Sequence, residues 1–320
     1  MYSYSLMQWI LFFYIYCFIG WCFESTYVSV KQKKFINRGF MRGPVLPLYG
    51  SGAMVILFIT APIQNNIGLL FIAGFFGATL LEYVTGVTME ALFKVRYWDY
   101  SNVKLNFQGQ ICLSSSLAWG VLTIIMAKYI HKPIEKMVLS MPDTILNDVT
   151  FFLTILVVAD FAVAFKAAID LRELLIKMEK AKEELVHLQK RLDFIMAMVD
   201  DKKSDLVDGL EEKVSNIRES ELIGNIEERF EKLKQKMQMP EAYSVRLENF
   251  KDEINDMFVK IKLHREETKE RSNGGSWYTR IVLRNNPMMK SGKYAAALEE
   301  LMHSLDKKKS GDNSDETKED

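Results

Sequence analysis

The chain has 320 residues, 41 basic and 41 acidic side chains and three cysteines, a balance that on average describes a soluble protein. The distribution excludes that reading: residues 1–170 hold twelve Lys or Arg and nine Asp or Glu, whereas 171–320 hold twenty-nine and thirty-two. An odd number of cysteines without CxxC spacing excludes a disulfide framework, and with only four scattered histidines no metal site or other cofactor is expected.

The first half consists of apolar runs of about 20 residues, the length a helix needs to cross a hydrocarbon core of about 30 Å. The first run lacks the basic leader and small-residue cleavage pattern of a signal peptide, so it is read as a span. Spans are predicted at about 6–30, 44–63, 67–92, 110–130 and 149–169, with boundaries good to roughly 2–4 residues. The loop after the first carries Lys31, Lys33, Lys34, Arg38 and Arg42, and that after the third Lys94, Arg96 and Lys104. Basic loops face the cytoplasm, so the N-terminus is expected outside and the tail inside the cell membrane, although Lys128, Lys132 and Lys136 follow the fourth span on the outer side.

Small residues at Ala73, Gly74, Gly77, Ala78 and Gly86 mark a face of the third span for close helix packing. The second span opens with GPVLPLYGSG, whose prolines and glycines break helix geometry at a depth where irregular backbone must be buried in protein or line a wet cavity.

A charge in the hydrocarbon costs a few kcal/mol and asks for a partner or a purpose. Glu24, Glu82, Glu90, Asp99 and Asp160 qualify. Glu82 has no helix end within reach, and its spacing to Gly86 and Glu90 puts both carboxylates near one side of a helix. Glu24 and Glu90 also suit interfacial positions paired with Arg38, Arg42 or Arg96. Asp160 is poorly spaced for Lys166 and is expected to reach another span. The loop NRGFMRGP offers Asn37, Arg38 and Arg42 on a glycine-freed backbone, suited to a phosphate or carboxylate or to anionic headgroups. The loop RYWDYSNVKLNFQGQICL places the interfacial aromatics Trp98 and Tyr100 among the polar groups Asp99, Ser101, Asn102 and Asn106.

GWCFESTYVSV, FINRGFMRGPVLPLYGSG, LEYVTGVTMEALFKVRYWDYS and LNFQGQICL, in that order, resemble the type IV ABC-transporter permease family, the CmpB-type membrane proteins, over about half the chain. The resemblance implies a permease role and marks Glu24, Asn37, Arg38, Pro44, Pro47, Tyr49, Glu82, Glu90, Trp98, Asp99, Tyr100 and Asn106 as family-typical positions. The sequence has no GxxxxGK[ST], so ATP hydrolysis would need a separate ABC ATPase.

Beyond Asp170 a heptad runs through Leu174, Met178, Ala181, Leu185, Leu188, Leu192, Ile195 and Val199, and further apolar stripes follow to Met237 and from Leu247 to Ile261. Residues 171–270 are expected to form a helical hairpin, with an intermolecular coiled coil continuing the fifth span as the alternative. Turns are expected at DDKKSD and MQMPEAYS, and a linker near Gly274. Residues 271–305, with Arg280, Arg284, Lys290 and Lys293, read as a basic amphipathic segment that lies on the inner leaflet or docks under the bundle, and 306–320 as a disordered end.

The expected fold is thus all-α: a polytopic bundle of about five spans over 1–170 and a cytoplasmic helical or coiled-coil tail. The leading function is a transport-system membrane subunit acting as a homodimer or larger assembly among membrane lipids, with no nucleic-acid partner. A membrane enzyme acting on lipid-linked substrates and a membrane-anchored scaffold are the alternatives. No catalytic signature is present, and Glu24, Asn37, Arg38, Arg42, Glu82, Glu90, Trp98, Asp99, Asn106 and Asp160 form the candidate intramembrane site.

Overall fold

A computed structural model describes residues 4–199, 219–237, 255–257, 259–264, 266 and 277–303. Helix α1 (Leu6–Gln32) is set by local chemistry: Ser5 accepts from the Gln8 amide, the Gln8 side chain accepts from the Ser5 amide, and Lys33 stops it in the left-handed region (φ 51°). Helix α3 (Ile67–Phe93) is capped by Asn66, whose side chain accepts from the Leu69 amide at 3.1 Å. Between them, α2 (Pro47–Thr60) has only 14 residues, about 21 Å at 1.5 Å per residue.

The span expected over 44–63 is therefore helical in part. The Leu46 amide donates to the Cys17 carbonyl at 3.1 Å, near the middle of α1. Residues 33–46 thus return from the end of α1 to its middle as irregular backbone, and α2, opening on Pro47, completes the crossing. α1 and α2 meet closely, since a Cβ on Gly20 would fall 2.3 Å from the Tyr49 Cβ and one on Gly50 2.3 Å from the Cys17 Sγ.

After α3, a short antiparallel hairpin pairs β1 (Asn106–Phe107) with β2 (Ile111–Cys112), Asn106 opposite Cys112 and Phe107 opposite Ile111. Helix α4 (Leu113–Ile125) passes through a π-helical turn (Met126–Ile130) into α5 (His131–Leu139). The helix expected to end near 130 runs nine residues further and carries Lys128, Lys132 and Lys136 with it. Pro133 gives the physical reason for the irregular turn: it lacks an N–H and its ring crowds the carbonyl four residues back, at Tyr129. Four stretches, Leu6–Gln32, Ile67–Phe93, Leu113–Leu139 and the apolar part of α6 (Asp143–Val199), are long and apolar enough to cross a membrane.

The chain divides into two compact units, Met1–Asp170 with Trp277–Lys290, and Leu171–Ser276 with Ser291–Asp320. In the first, α8 (Trp277–Asn285) leads into a bridge in which the Arg96 amide donates to the Lys290 carbonyl at 2.7 Å and the Lys290 amide returns to Arg96 at 3.1 Å. In the second, Leu185, Leu192 and Ile195 of α6 bury against Leu222, Ile223 and Ile226 of α7 (Glu219–Met237) and against Met257 and Ile261. Leu171 and Leu175 are buried where Leu174 is only half-buried, so the apolar face of α6 is broader than a single seam. The turns expected at 200–205 and beyond Met237, the linker near Gly274 and residues 306–320 lie outside the described residues.

Candidate functional site

Irregular backbone at membrane depth persists only where neighbours satisfy its polar groups. For residues 33–46 those neighbours are small or acidic side chains of the spans. The Ser29 hydroxyl accepts from the Ile36 amide at 2.9 Å, the Ser25 hydroxyl from the Arg38 amide at 3.1 Å, and the Asp160 carboxylate of α6 from the Gly43 amide at 2.8 Å. Asn37 accepts from the Trp21 indole and donates to the Arg42 carbonyl. Gly39 sits at φ +142°, open to glycine, and lets the chain turn towards the bundle interior.

That turn delivers Arg38 to the wall of a cavity of about 620 Å³ inside the first unit. Its guanidinium donates to the Asn286 side-chain oxygen at 2.8 Å and to the Tyr97 carbonyl at 2.6 Å. Asn286, 1 % exposed, also donates to the Gly39 carbonyl at 3.2 Å.

Glu82, 5 % exposed on α3, is the most enclosed carboxylate of the cavity wall. Tyr100 donates to one of its oxygens at 3.1 Å; the Ser115 hydroxyl at 3.3 Å and the Trp119 indole at 3.0 Å donate to the other. Ser115 and Trp119 lie four apart, on one face of the segment that α4 lays along α3. Burial, then the Glu82 carboxylate, pushes the Tyr100 hydroxyl above its ordinary range, so it remains a donor. Glu24, on α1, accepts from the Tyr49 hydroxyl at 2.7 Å, and the Tyr49 ring lies 5.4 Å from that of Trp119. The apolar walls include Leu46, Met89, Leu92, Phe93, Phe161 and Phe165.

Of the ten candidate-site residues read from the sequence, Glu24, Arg38, Glu82 and Trp98 line this cavity, together with the family-typical Pro47, Tyr49 and Tyr100. The others stand apart from it. Glu90 pairs with Arg96 at 2.8 Å and accepts from Gln110 at 2.6 Å, and Trp98 donates to the Gln110 carbonyl at 2.9 Å. Asp99 accepts from Lys290 at 2.8 Å and from Ser101, while Asn106 ties the hairpin turn by accepting from the Gly109 amide at 3.1 Å. Burial pushes the Asp99 carboxyl up, but the Lys290 ammonium and the Ser101 donors outweigh it and hold the pKa at about 2. Asn37 and Asp160 hold backbone, and Arg42 is exposed. Ser115, Trp119 and Asn286 escaped sequence reasoning; the one available signal was the four-residue spacing of two hydrogen-bonding side chains in an apolar helix.

Residues 11–165 match the family model described as Putative ABC-transporter type IV. No curated protein and no solved structure matches the chain.

Proposed function

We propose that this membrane protein, whose residues 11–165 match the model of the type IV ABC-transporter family, is the substrate-binding membrane subunit of a transport system powered by a separate ATPase. The observation that carries the reading is the cavity, where three donors hold the buried Glu82 and Glu24 and Arg38 also line the wall. A buried carboxyl group at this depth is costly, so one that faces a cavity instead of an ion-pair partner is suited to meeting a ligand.

The chain carries no Walker motif, and its ATPase is a different polypeptide. The basic residues of loops 31–42 and 94–104 support a cytoplasmic position for these loops, with the N-terminus outside. Asn286 holds Arg38 from a segment outside the family match, and this contact gives a bound substrate a route to the C-terminal half. Five crossings are few for a translocation path, and two copies form the complete subunit. The test is affinity purification of the full-length chain from native membranes in mild detergent, with co-purifying proteins identified by mass spectrometry. An ABC ATPase recovered in amounts comparable to the chain is the expected result; recovery of lipid or lipid-linked species with no ATPase would overturn the reading.

A further inference from the structure

Given the transport reading, on which this step rests, the charge and lining of the cavity narrow the class of substrate. Its walls carry two carboxylates, Glu24 and Glu82, against one guanidinium, Arg38. Arg38 is turned onto neutral acceptors, the Asn286 side chain and the Tyr97 carbonyl, and among the described residues neither carboxylate has a cation within ion-pair distance. The donors on Glu82 are two hydroxyls and an indole. Counted formally, two carboxylates against one guanidinium leave the cavity one positive charge short of balance.

The rings beside them point the same way. Tyr49 and Trp119 are 5.4 Å apart, Phe23 is 6.5 Å from Tyr49, and Trp98 and Tyr100 lie on the same wall set. Aromatic faces attract a cation through the ring quadrupole, most strongly where water is excluded. Among the described residues no three or more His, Cys, Asp or Glu side chains gather as a metal site requires, which disfavours a small metal ion such as Ca²⁺ or Mg²⁺. Leu46, Met89, Leu92 and Phe165 supply apolar surface for the rest of the molecule, and about 620 Å³ is the size of a small-molecule site.

We propose that the cavity binds an amphiphilic organic monocation, an ammonium-type group held between Glu24, Glu82 and the aromatic rings with its apolar body against the aliphatic and phenylalanine wall.

The probe is radiolabelled tetraphenylphosphonium, an apolar monocation, titrated onto the purified full-length protein in mild detergent; tetraphenylborate, of the same shape and opposite charge, is titrated separately. Expected is saturable binding of the cation, one per chain, weakened about tenfold or more in Glu24→Gln and in Glu82→Gln, and no saturable binding of the anion. Glu82→Gln can keep its partners, its amide oxygen accepting from Trp119 and Ser115 and its amide nitrogen donating to the Tyr100 oxygen. Should it still fail to fold, the less enclosed Glu24→Gln decides. Equal cation affinity in wild type and in Glu24→Gln, or saturable binding of the borate in preference, overturns the assignment. An ATPase recovered alongside such a result leaves the transport reading standing, whereas charge-dependent cation binding without any ATPase removes that reading and keeps the site.

Discussion

Glu82 rests on three donors, of which the Tyr100 hydroxyl and the Trp119 indole have no other partner among the described contacts while Ser115 also donates to the Cys112 carbonyl at 2.9 Å, so its removal is more costly than its neutralisation. Glu82→Ala strands the Trp119 indole and the Tyr100 hydroxyl in a half-buried space, each at about 1–3 kcal/mol. Its thermal unfolding temperature in detergent is expected to fall well below that of Glu82→Gln, which should stay near wild type. A second test concerns the Asp99–Lys290 pair. Because the folded carboxyl titrates at about 2 and an ordinary aspartate at 3.8, its contribution is fully present above pH 4 and is lost as pH falls through 2. With Lys290 half exposed the pair is worth about 0–1 kcal/mol. Melting curves across this range should show Asp99→Asn slightly less stable than wild type at neutral pH and converging with it near pH 2. Glu82 and Asp160 were legible as charges needing a partner, but their partners were not, because Trp119 lies 37 residues away and Gly43 117. Glu90 shares a helix side with Glu82 by spacing, while its place near the end of the span also suited a pair with Arg96. Eight residues add about 12 Å along a helix and turn it about 80°, enough to hand Glu90 to Arg96 and Gln110 instead of the cavity.

At the scale of elements, α3 and α4 pack through glycines. A Cβ on Gly74 would sit 2.1 Å from the Thr123 Oγ1 and 2.4 Å from its Cβ, and one on Gly120 would enter the Phe71 ring. Gly74→Ala therefore overpacks the interface and should destabilise the bundle by about 1–3 kcal/mol, while Gly68→Ala, which meets only the Asn66 side chain at 3.4 Å, should be neutral or mildly stabilising. Unfolding temperatures of the two variants in the same detergent check this contrast. The small-residue face of α3 and the break at GPVLPLYGSG could be read from the sequence because glycine and proline act locally. The extension of the fourth span to Leu139 could not, since its amphipathic end dilutes the hydropathy that marked the start. The continuation of α6 unbroken past Asp170 was one of two readings the heptad allowed. A smooth hand-over from apolar span to charged helix leaves no proline or glycine to mark a joint.

Across the whole molecule, the segment Trp277–Lys290 packs with the membrane unit although more than a hundred residues separate it from α6's apolar part. Asn286 joins that segment to Arg38 and Gly39, and Lys290 joins it to Arg96 and Asp99. Asn286→Ala removes a buried hydrogen bond to a charged group, worth about 1.5–3 kcal/mol, and should lower hydrogen-exchange protection over 277–290 while leaving α3 and α4 protected. The basic, amphipathic character of this stretch was evident in the sequence, but nothing local distinguished docking under the bundle from lying on a membrane. If the cavity is the substrate site of an ATPase-driven subunit, a neutralised Glu82 must silence the partner without releasing it. The measurement is ATP hydrolysis by the complex purified through wild type and through Glu82→Gln, in native-lipid discs, with the ATPase quantified per chain. The account predicts equal ATPase in both preparations and hydrolysis lowered by about tenfold or more in the variant. Equal hydrolysis in the two, or no ATPase with the wild-type chain, would contradict it.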